Sequence, residues 1–233
     1  MVSPSYARSS NSHHLDLKRI PRVPMALPIV LLRDKNQDLS HEQCLLAAFA
    51  HMTRLVDLRS AEDWGRDWQE PWDRWNTGKF RKIVKRANPQ RFAGLAQDPQ
   101  SIHSAVEIDG DLVELLSFPP YELSEQDPRV KPLQVAGLDC PKSKEIHPES
   151  TEELILAYDG SLGASTGKMM AQAGHAAQLL RSKYSELNPV VESMRVVDSF
   201  DQDDIEWLVE VVDAGFTEVA PNSVTVKIGR RIS

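Results

Sequence analysis

Cysteine, aromatic residues and long apolar runs are scarce in this chain. Its two cysteines, among 233 residues, form no Cys-x-x-Cys pair, and the first residues lack the charged-then-apolar order of a signal peptide. Both absences favour a cytoplasmic location. The longest apolar run covers residues 25–32, well short of the roughly 18 residues that span a bilayer, so no membrane segment is expected. With 41% hydrophobic and 26% charged residues, the composition is that of a compact globular protein.

Positive charge is also in short supply, because 34 acidic residues against 27 basic ones leave a net charge of -7. An attraction of the whole surface to nucleic acid is thereby weakened, and any such function depends on a local basic patch. Residues 79–91 contain one, and the alternation about Ile83 predicts a strand with exposed basic neighbours. The candidate nucleic-acid-binding residues are Lys79, Arg81, Lys82, Lys85 and Arg86. The alternative is an ordinary solvated face.

The length allows one large domain or two small ones. Residues 1–22 show neither helical nor strand periodicity and are interpreted as a flexible tail, in which the adjacent His13 and His14 are too few for a metal site. No metal is predicted. Six prolines within residues 119–150 indicate a connection between a first half, residues 23–118, and a second half, residues 151–233.

Each half has the order strand, loop, helix. In the first half, residues 27–32 form a predicted strand, and the hydroxyl of Ser40 is suited to cap a helix. In the second half, residues 154–157 form a short apolar strand, and the candidate cap is Ser165 or Thr166.

An internal duplication accounts for this repetition. A shift of 125 residues aligns the strands and helix caps of the two halves, and a shift of 104 aligns Asp109 with Asp213 and Glu114 with Glu218. We therefore expect two degenerate copies of one α/β unit that form a pseudo-dimer.

Four tryptophans, Trp64, Trp68, Trp72 and Trp75, follow the spacing of one helical face, and Pro71 is expected to divide this segment into two pieces. One interpretation is a platform on which bases stack, and the other is a buried seam. The large apolar area of four indole rings favours the seam.

The most informative stretch runs from residue 158 to residue 180. Its Gly-Lys pair is not a P-loop, because Leu162 and Met169 stand where that motif needs Gly and Ser or Thr. Lys168, Gln172 and His175 instead follow one face of a predicted helix, so the three side chains can reach one site. A lysine in the first turn opposes the helix dipole unless an anion is shared with the free backbone amides. Taken singly, each residue also suits a surface or core role.

Asp213 and Thr217 form a second constellation. The Asp-Ala-Gly sequence suits a tight turn before a strand at residues 224–228, and both side chains are placed to flank a site. The alternative is a carboxylate that stabilises the turn and a threonine chosen for strand propensity.

Together, GKMMAQAGHAA from residue 167 and DAGFTEVAPN from residue 213 resemble the two signature motifs of the type 2 peptidyl-tRNA hydrolases. The resemblance covers residues 154–229 and extends only faintly to the first half. It implies a mixed β-sheet sandwiched by helices, and hydrolysis of the ester between a peptide and the terminal ribose of tRNA, without a cofactor. The catalytic residues that it implies are Lys168, Gln172, His175, Asp213 and Thr217. Family members resemble homodimers, and a duplicated chain satisfies the same surface internally, so we expect a monomer.

The sequence departs from the family pattern in its charge. Phe216 and Glu218 stand where the family often has a basic residue and a glutamine, and Asn222 follows the proline in place of glycine, although Asn tolerates the same backbone conformation. The first two changes weaken attraction to a polyanion. The alternative function is therefore a catalytically decayed tRNA-binding or interaction protein of the same fold.

Ester hydrolysis requires a positioned water, stabilisation of the oxyanion and a grip on the nucleic acid. The resemblance implies that Lys168 and the helix start hold the anion, Asp213 orients Lys168 or activates water, and Thr217 positions that water. Gln172 would hold the ribose, and His175 would be catalytic or structural. The two shifts align Lys168, Gln172, His175 and Thr217 with Gln43, Ala47, Ala50 and Val113 of the first half. Because the first half lacks these four polar groups, we expect chemistry only in the second half.

Overall fold

The computed structural model describes residues 23–61, 64–78, 81–135, 140–142, 154–187, 189, 191–214 and 218–232. They form two mixed β-sheets and four α-helices, so the mixed α/β class is confirmed. The predicted tail with His13 and His14, and the predicted site residues Lys79 and Thr217, lie outside the described residues. No helix in the described ranges is both long and apolar enough to cross a membrane.

The first sheet has the strand order β3-β4-β1-β2-β6, and β5 pairs with β1. Strands β1 and β2 are parallel, and the other pairs are antiparallel. Two of its strands, β5 and β6, belong to the predicted proline-rich connection, so residues 121–122 and 134–135 of that connection pair within this sheet. The elements are β1 (Met25–Leu32), α1 (His41–Ser60), α2 (Arg66–Asn76), β2 (Arg81–Ala87), α3 (Pro89–Ala96), β3 (Ile102–Ile108), β4 (Asp111–Ser117), β5 (Tyr121–Glu122) and β6 (Gln134–Val135).

The second sheet has the order β8-β7-β10-β9, in which β7 and β8 are parallel and the other pairs antiparallel. Its elements are β7 (Leu154–Tyr158), α4 (Thr166–Lys183), β8 (Met194–Val197), β9 (Ile205–Val212) and β10 (Val224–Arg231), with short 3-10 helices at Gly160–Leu162 and Val191–Ser193. Strand for strand, this order and these directions match β2-β1-β4-β3 of the first sheet.

The shift of 125 residues holds at the helices, because it aligns His41 and Thr166, the first residues of α1 and α4. The shift of 104 aligns Asp109 and Asp213, which directly follow β3 and β9. Beyond Asp109 and Asp213, the shift of 104 no longer aligns equivalent elements. Residues 109–110 join β3 to β4, whereas residues 213–223 join β9 to β10, so Glu114 lies in a strand and Glu218 in a connection.

Helices α1 and α4 pack side by side between the two sheets, with their N-termini at the same end. His41 Nδ1 lies 3.0 Å from Thr166 Oγ1 at this end, and Arg181 Nε donates to Asp57 Oδ1 at the other, at 2.9 Å. The close approach is possible because small residues line both helices: Ala47, Ala48, Ala173, Ala176 and Ala177 are all buried.

Among the described residues, only the first sheet has helices on both of its faces. Phe92 and Leu95 of α3 cover its outer face, where they pack on Val30 and Leu116. The outer face of the second sheet carries a separate apolar cluster, against which Phe200 and Trp207 pack.

Three of the four tryptophans lie in one helix, α2, and Trp64 precedes it. Pro71 lies inside this helix, so the predicted division at Pro71 is wrong. Trp68, Trp72 and Trp75 are at most 4% exposed and belong to the main core. Proline removes one backbone hydrogen bond, and the burial of three indole rings along one face outweighs that loss. The buried seam is the interpretation that agrees with this packing.

His51 of α1 provides the first testable prediction. Its imidazole is fully buried between the hydroxyls of Ser104 and Ser117, each at 2.8 Å, and burial lowers its pKa to about 3. The unfolded chain takes up a proton near pH 6.5 that the folded chain excludes, so stability falls as the pH drops below that value. We expect no His51 ring titration by NMR between pH 8 and pH 5. This group alone should reduce the free energy of unfolding by about 2 kcal/mol between pH 7 and pH 5.

Candidate functional site

One cavity of about 710 Å³ lies where the two halves meet. Its walls come from α4, from β2 of the first sheet and from the end of β9 in the second. This volume is within the range of ligand-binding clefts. The polar residues on its walls are Asn76, Arg81, Lys82, Lys168, Gln172, His175, Gln178, Ser182, Asp213 and Glu218.

The local sequence determines where α4 begins. Ser165 is the N-cap, and its hydroxyl accepts a hydrogen bond from the backbone N–H of Lys168 at 3.3 Å. Gly163, with φ of 60°, turns the chain just before this cap. Lys168 therefore stands in the first helical turn, and Gln172 and His175 follow it along the cavity.

Three of the five motif residues converge on one atom. Lys168 Nζ lies 2.5 Å from Asp213 Oδ2, and Gln172 Nε2 donates to the same oxygen. Asp213 is 6% exposed and Gln172 4%, so the carboxylate is held in a largely dry environment. Asn222, with the positive φ of 66°, donates its N–H to the Asp213 carbonyl and closes the turn that presents this aspartate.

Gln172 thus positions Asp213, and this contact differs from the predicted hydrogen bond to the ribose. Thr217 and Phe216 lie outside the described residues, so their placement relative to Asp213 stays a prediction.

Glu218 reaches the start of α4. Its carboxylate accepts hydrogen bonds from the Ser165 N–H at 2.7 Å and from the Ser165 hydroxyl at 2.8 Å. An acidic group at this place is stabilised by the helix dipole. The helix start that was expected to receive a substrate anion therefore already carries a carboxylate of the protein.

His175 contacts Lys82, which comes from the first half of the chain. Lys82 Nζ lies 2.9 Å from His175 Nδ1 and 3.0 Å from Gln178 Oε1, and it lies 4.8 Å from the centre of the Trp75 ring. Burial lowers the pKa of Lys82 well below its usual value. Burial, followed by the charges of Lys82 and Lys168, also lowers the pKa of His175 well below its usual value. The imidazole is therefore neutral, and a lysine that donates to Nδ1 leaves its proton on Nε2.

The basic strand is not the uniformly exposed surface that the sequence predicted. Lys82 is only 9% exposed and, with Arg81, lines the cavity. Lys85 Nζ donates to the carbonyl of Leu133 at 3.1 Å, and the Arg86 guanidinium donates to the side chain of Gln134. The prediction of exposed basic neighbours is thus wrong for Lys82.

Sequence reasoning missed that Lys82 and Gln178 belong to the same site as His175. The sequence did contain a sign that Lys82 is buried. Lys82 and the apolar Val84 are two residues apart and therefore face the same side of a strand. The side that Val84 occupies is the buried one.

Comparison with protein-family models, with curated proteins and with solved structures found no match. In the part of the chain that the structure describes, no three His, Cys, Asp or Glu side chains are grouped so that they could hold a metal ion.

Proposed function

We propose that this chain is a cytoplasmic hydrolase of the type 2 peptidyl-tRNA hydrolase kind, which cleaves the ester between a peptide and the terminal ribose of tRNA without a cofactor. One observation carries the proposal: Lys168 and Gln172, from the first motif, both bond to Asp213, from the second. Residues that are 41 and 45 positions apart in sequence meet at one carboxylate oxygen, on the wall of a cavity of suitable size.

The contacts of these residues support the following roles in the proposed mechanism. Asp213 holds Lys168 through an ion pair whose side chains are 5% and 14% exposed. The ammonium group of Lys168 stabilises the negative charge that develops on the ester carbonyl oxygen. Gln172 fixes the orientation of the carboxylate. Asp213 then orients or activates the attacking water, with Thr217 as the predicted second ligand of that water.

An internal duplication is part of the proposal, and the matching strand orders of the two sheets support it. Gln43, the counterpart of Lys168, donates through Nε2 to Asp111 Oδ2 at 2.9 Å and to the carbonyl of Ile108 at 3.0 Å. Gln43 thus contacts Ile108, the last residue of β3, and Lys168 contacts Asp213, the residue that follows β9. The first half lacks the charged donor, so it acts as a scaffold, and the pseudo-dimer makes the chain a monomer.

The second candidate is a tRNA-binding or interaction protein with a decayed site. The position of Glu218 favours it, because this carboxylate occupies the start of α4 and opposes a polyanion there.

Ester cleavage tests the proposed function directly. We expect the full chain to release a labelled N-acetyl-amino acid from N-acetyl-aminoacyl-tRNA. Lys168→Ala should slow this release by about 100-fold or more, since it removes the stabilising charge. The matched control is Lys183→Ala, which removes an exposed lysine from the last turn of the same helix. Full activity of a folded Lys168→Ala variant would refute the mechanism, and salt-sensitive tRNA binding without turnover would favour the second candidate.

A further inference from the structure

Lys82 is a buried cation with an incomplete set of partners. An ammonium group has three N–H donors, and the neighbouring acceptors are His175 Nδ1 and Gln178 Oε1. No carboxylate of the described residues pairs with Lys82, although the side chain is only 9% exposed. One donor therefore remains for a group that enters the cavity.

A buried charge without a counter-ion is costly, and the face of Trp75 compensates only part of that cost. An anionic ligand would supply the missing negative charge, because Lys82 lines the cavity. Arg81, the preceding residue on β2, lines the same cavity and adds a second positive charge.

Helix α4 leaves space for the Lys82 side chain at Gly174. A methyl group on Gly174 would lie 3.2 Å from Lys82 Cδ and 3.3 Å from Cε. Glycine at this position therefore leaves the space in which the lysine side chain crosses the helix to reach His175.

Two lysines, Lys82 and Lys168, line the cavity at different positions along α4. Lys168 and His175, which binds Lys82, are seven residues apart on α4, and this corresponds to roughly 10 Å along the helix axis. Apolar side chains, including Val84, Leu179 and Val211, line the same cavity. A nucleotide with a phosphate on its 5′ oxygen and an ester on its 3′ side has an anion and an ester at opposite ends of its ribose, together with an apolar base face.

We propose that this cavity binds the 3′-terminal nucleotide of the acylated RNA, with the 5′-phosphate at Lys82 and the 3′ ester at Lys168 and Asp213. The inference deepens the proposed function and rests on it for the orientation of the nucleotide. The first half of the chain then contributes directly to substrate binding through β2.

Proton uptake should accompany phosphate binding. Besides Lys82, the charged or titratable groups on the cavity walls are His175 and Lys168 of α4, Arg81 of β2, and Asp213 and Glu218 beyond β9. Burial lowers the pKa of Lys82 in the free protein, and a bound phosphate raises it again. The preference for a phosphate-bearing ligand should therefore fall as the pH rises from 7 towards the ordinary lysine pKa of about 10.5, a range in which the phosphate itself is ionised.

The test compares 5′-AMP with adenosine by titration calorimetry on the full chain. We expect 5′-AMP to bind at least about tenfold more tightly than adenosine, as for a charge-assisted hydrogen bond. Lys82→Met should remove this preference, so that 5′-AMP and adenosine bind the variant with similar affinities. The matched control is Lys183→Met, since Lys183 is exposed in the last turn of α4 and lies outside the cavity lining. Gly174→Ala, which displaces the Lys82 side chain, should also weaken the preference.

Equal affinities for 5′-AMP and adenosine, or an undiminished preference in folded Lys82→Met, would overturn the inference. Binding of inorganic phosphate or acetate as tightly as 5′-AMP would overturn it too, because the site would then recognise a small anion only. If Lys82→Met does not fold, the pH dependence of the wild-type preference is the deciding measurement. A preference that stays constant from pH 7 to about 10.5 contradicts the assignment. Hydrolysis without the 5′-AMP preference would refute this inference alone, whereas a Lys82-dependent preference without hydrolysis would refute only the proposed function.

Discussion

Asp213→Asn is expected to reduce hydrolysis of N-acetyl-aminoacyl-tRNA by about 100-fold or more. The substitution removes the negative charge that binds Lys168 and leaves a largely buried ammonium group without its ion-pair partner. It also places an amide opposite the Gln172 donor. Affinity for tRNA should change little, because in this arrangement Asp213 meets only the ester and the phosphate contact lies at Lys82. Release of the labelled acyl group and filter binding of tRNA measure the two quantities separately.

Asp109→Asn is the matched control, because the shift of 104 residues aligns Asp109 with Asp213. Its side chain is exposed in the β3–β4 turn, and its φ of 51° is one that asparagine readily adopts. Turnover should stay within a few-fold of the wild type. Equal losses from both substitutions, in proteins with native circular dichroism, would show that the assignment of chemistry to the second half is wrong.

Gly229→Ala is expected to be the most destabilising single methyl addition in the second sheet. The new carbon would lie 2.3 Å from Ile205 Cγ2, 2.9 Å from Trp207 Cε3 and 2.9 Å from the backbone oxygen of Glu206. That oxygen belongs to β9, which pairs with β10 at Gly229, so relief requires the two strands to separate locally. We expect the free energy of unfolding to fall by about 3 kcal/mol.

Gly94→Ala is the control for the same chemical change in open space. Gly94 lies in α3, and a methyl group there meets nothing within 4 Å. Alanine is the better helix former, so the variant should gain about 0.5–1 kcal/mol. Urea unfolding of both variants measures the contrast. A Gly229→Ala protein as stable as the wild type would mean that β9 and β10 pack differently from this description.

The sequence by itself determined the local elements, because their signals are short-range. Ser40 and Ser165 each cap the helix that follows, and α1 and α4 begin one residue later. The spacing of Lys168, Gln172 and His175 was enough to place the three side chains along one wall of a cavity. A helix of 3.6 residues per turn orders such positions without any information from the rest of the chain.

Tertiary structure decided which distant groups meet. Lys82 is 93 positions from His175, and its burial depends on how β2 packs against α4, a relation that no local pattern encodes. The same applies to Glu218, whose contact with Ser165 follows from the path of the connection between β9 and β10. Pro71 stays inside a helix because the burial of neighbouring tryptophans outweighs its local cost. Local propensity determines the individual helices and strands. The packing free energy of the whole fold determines which of their side chains meet in the site.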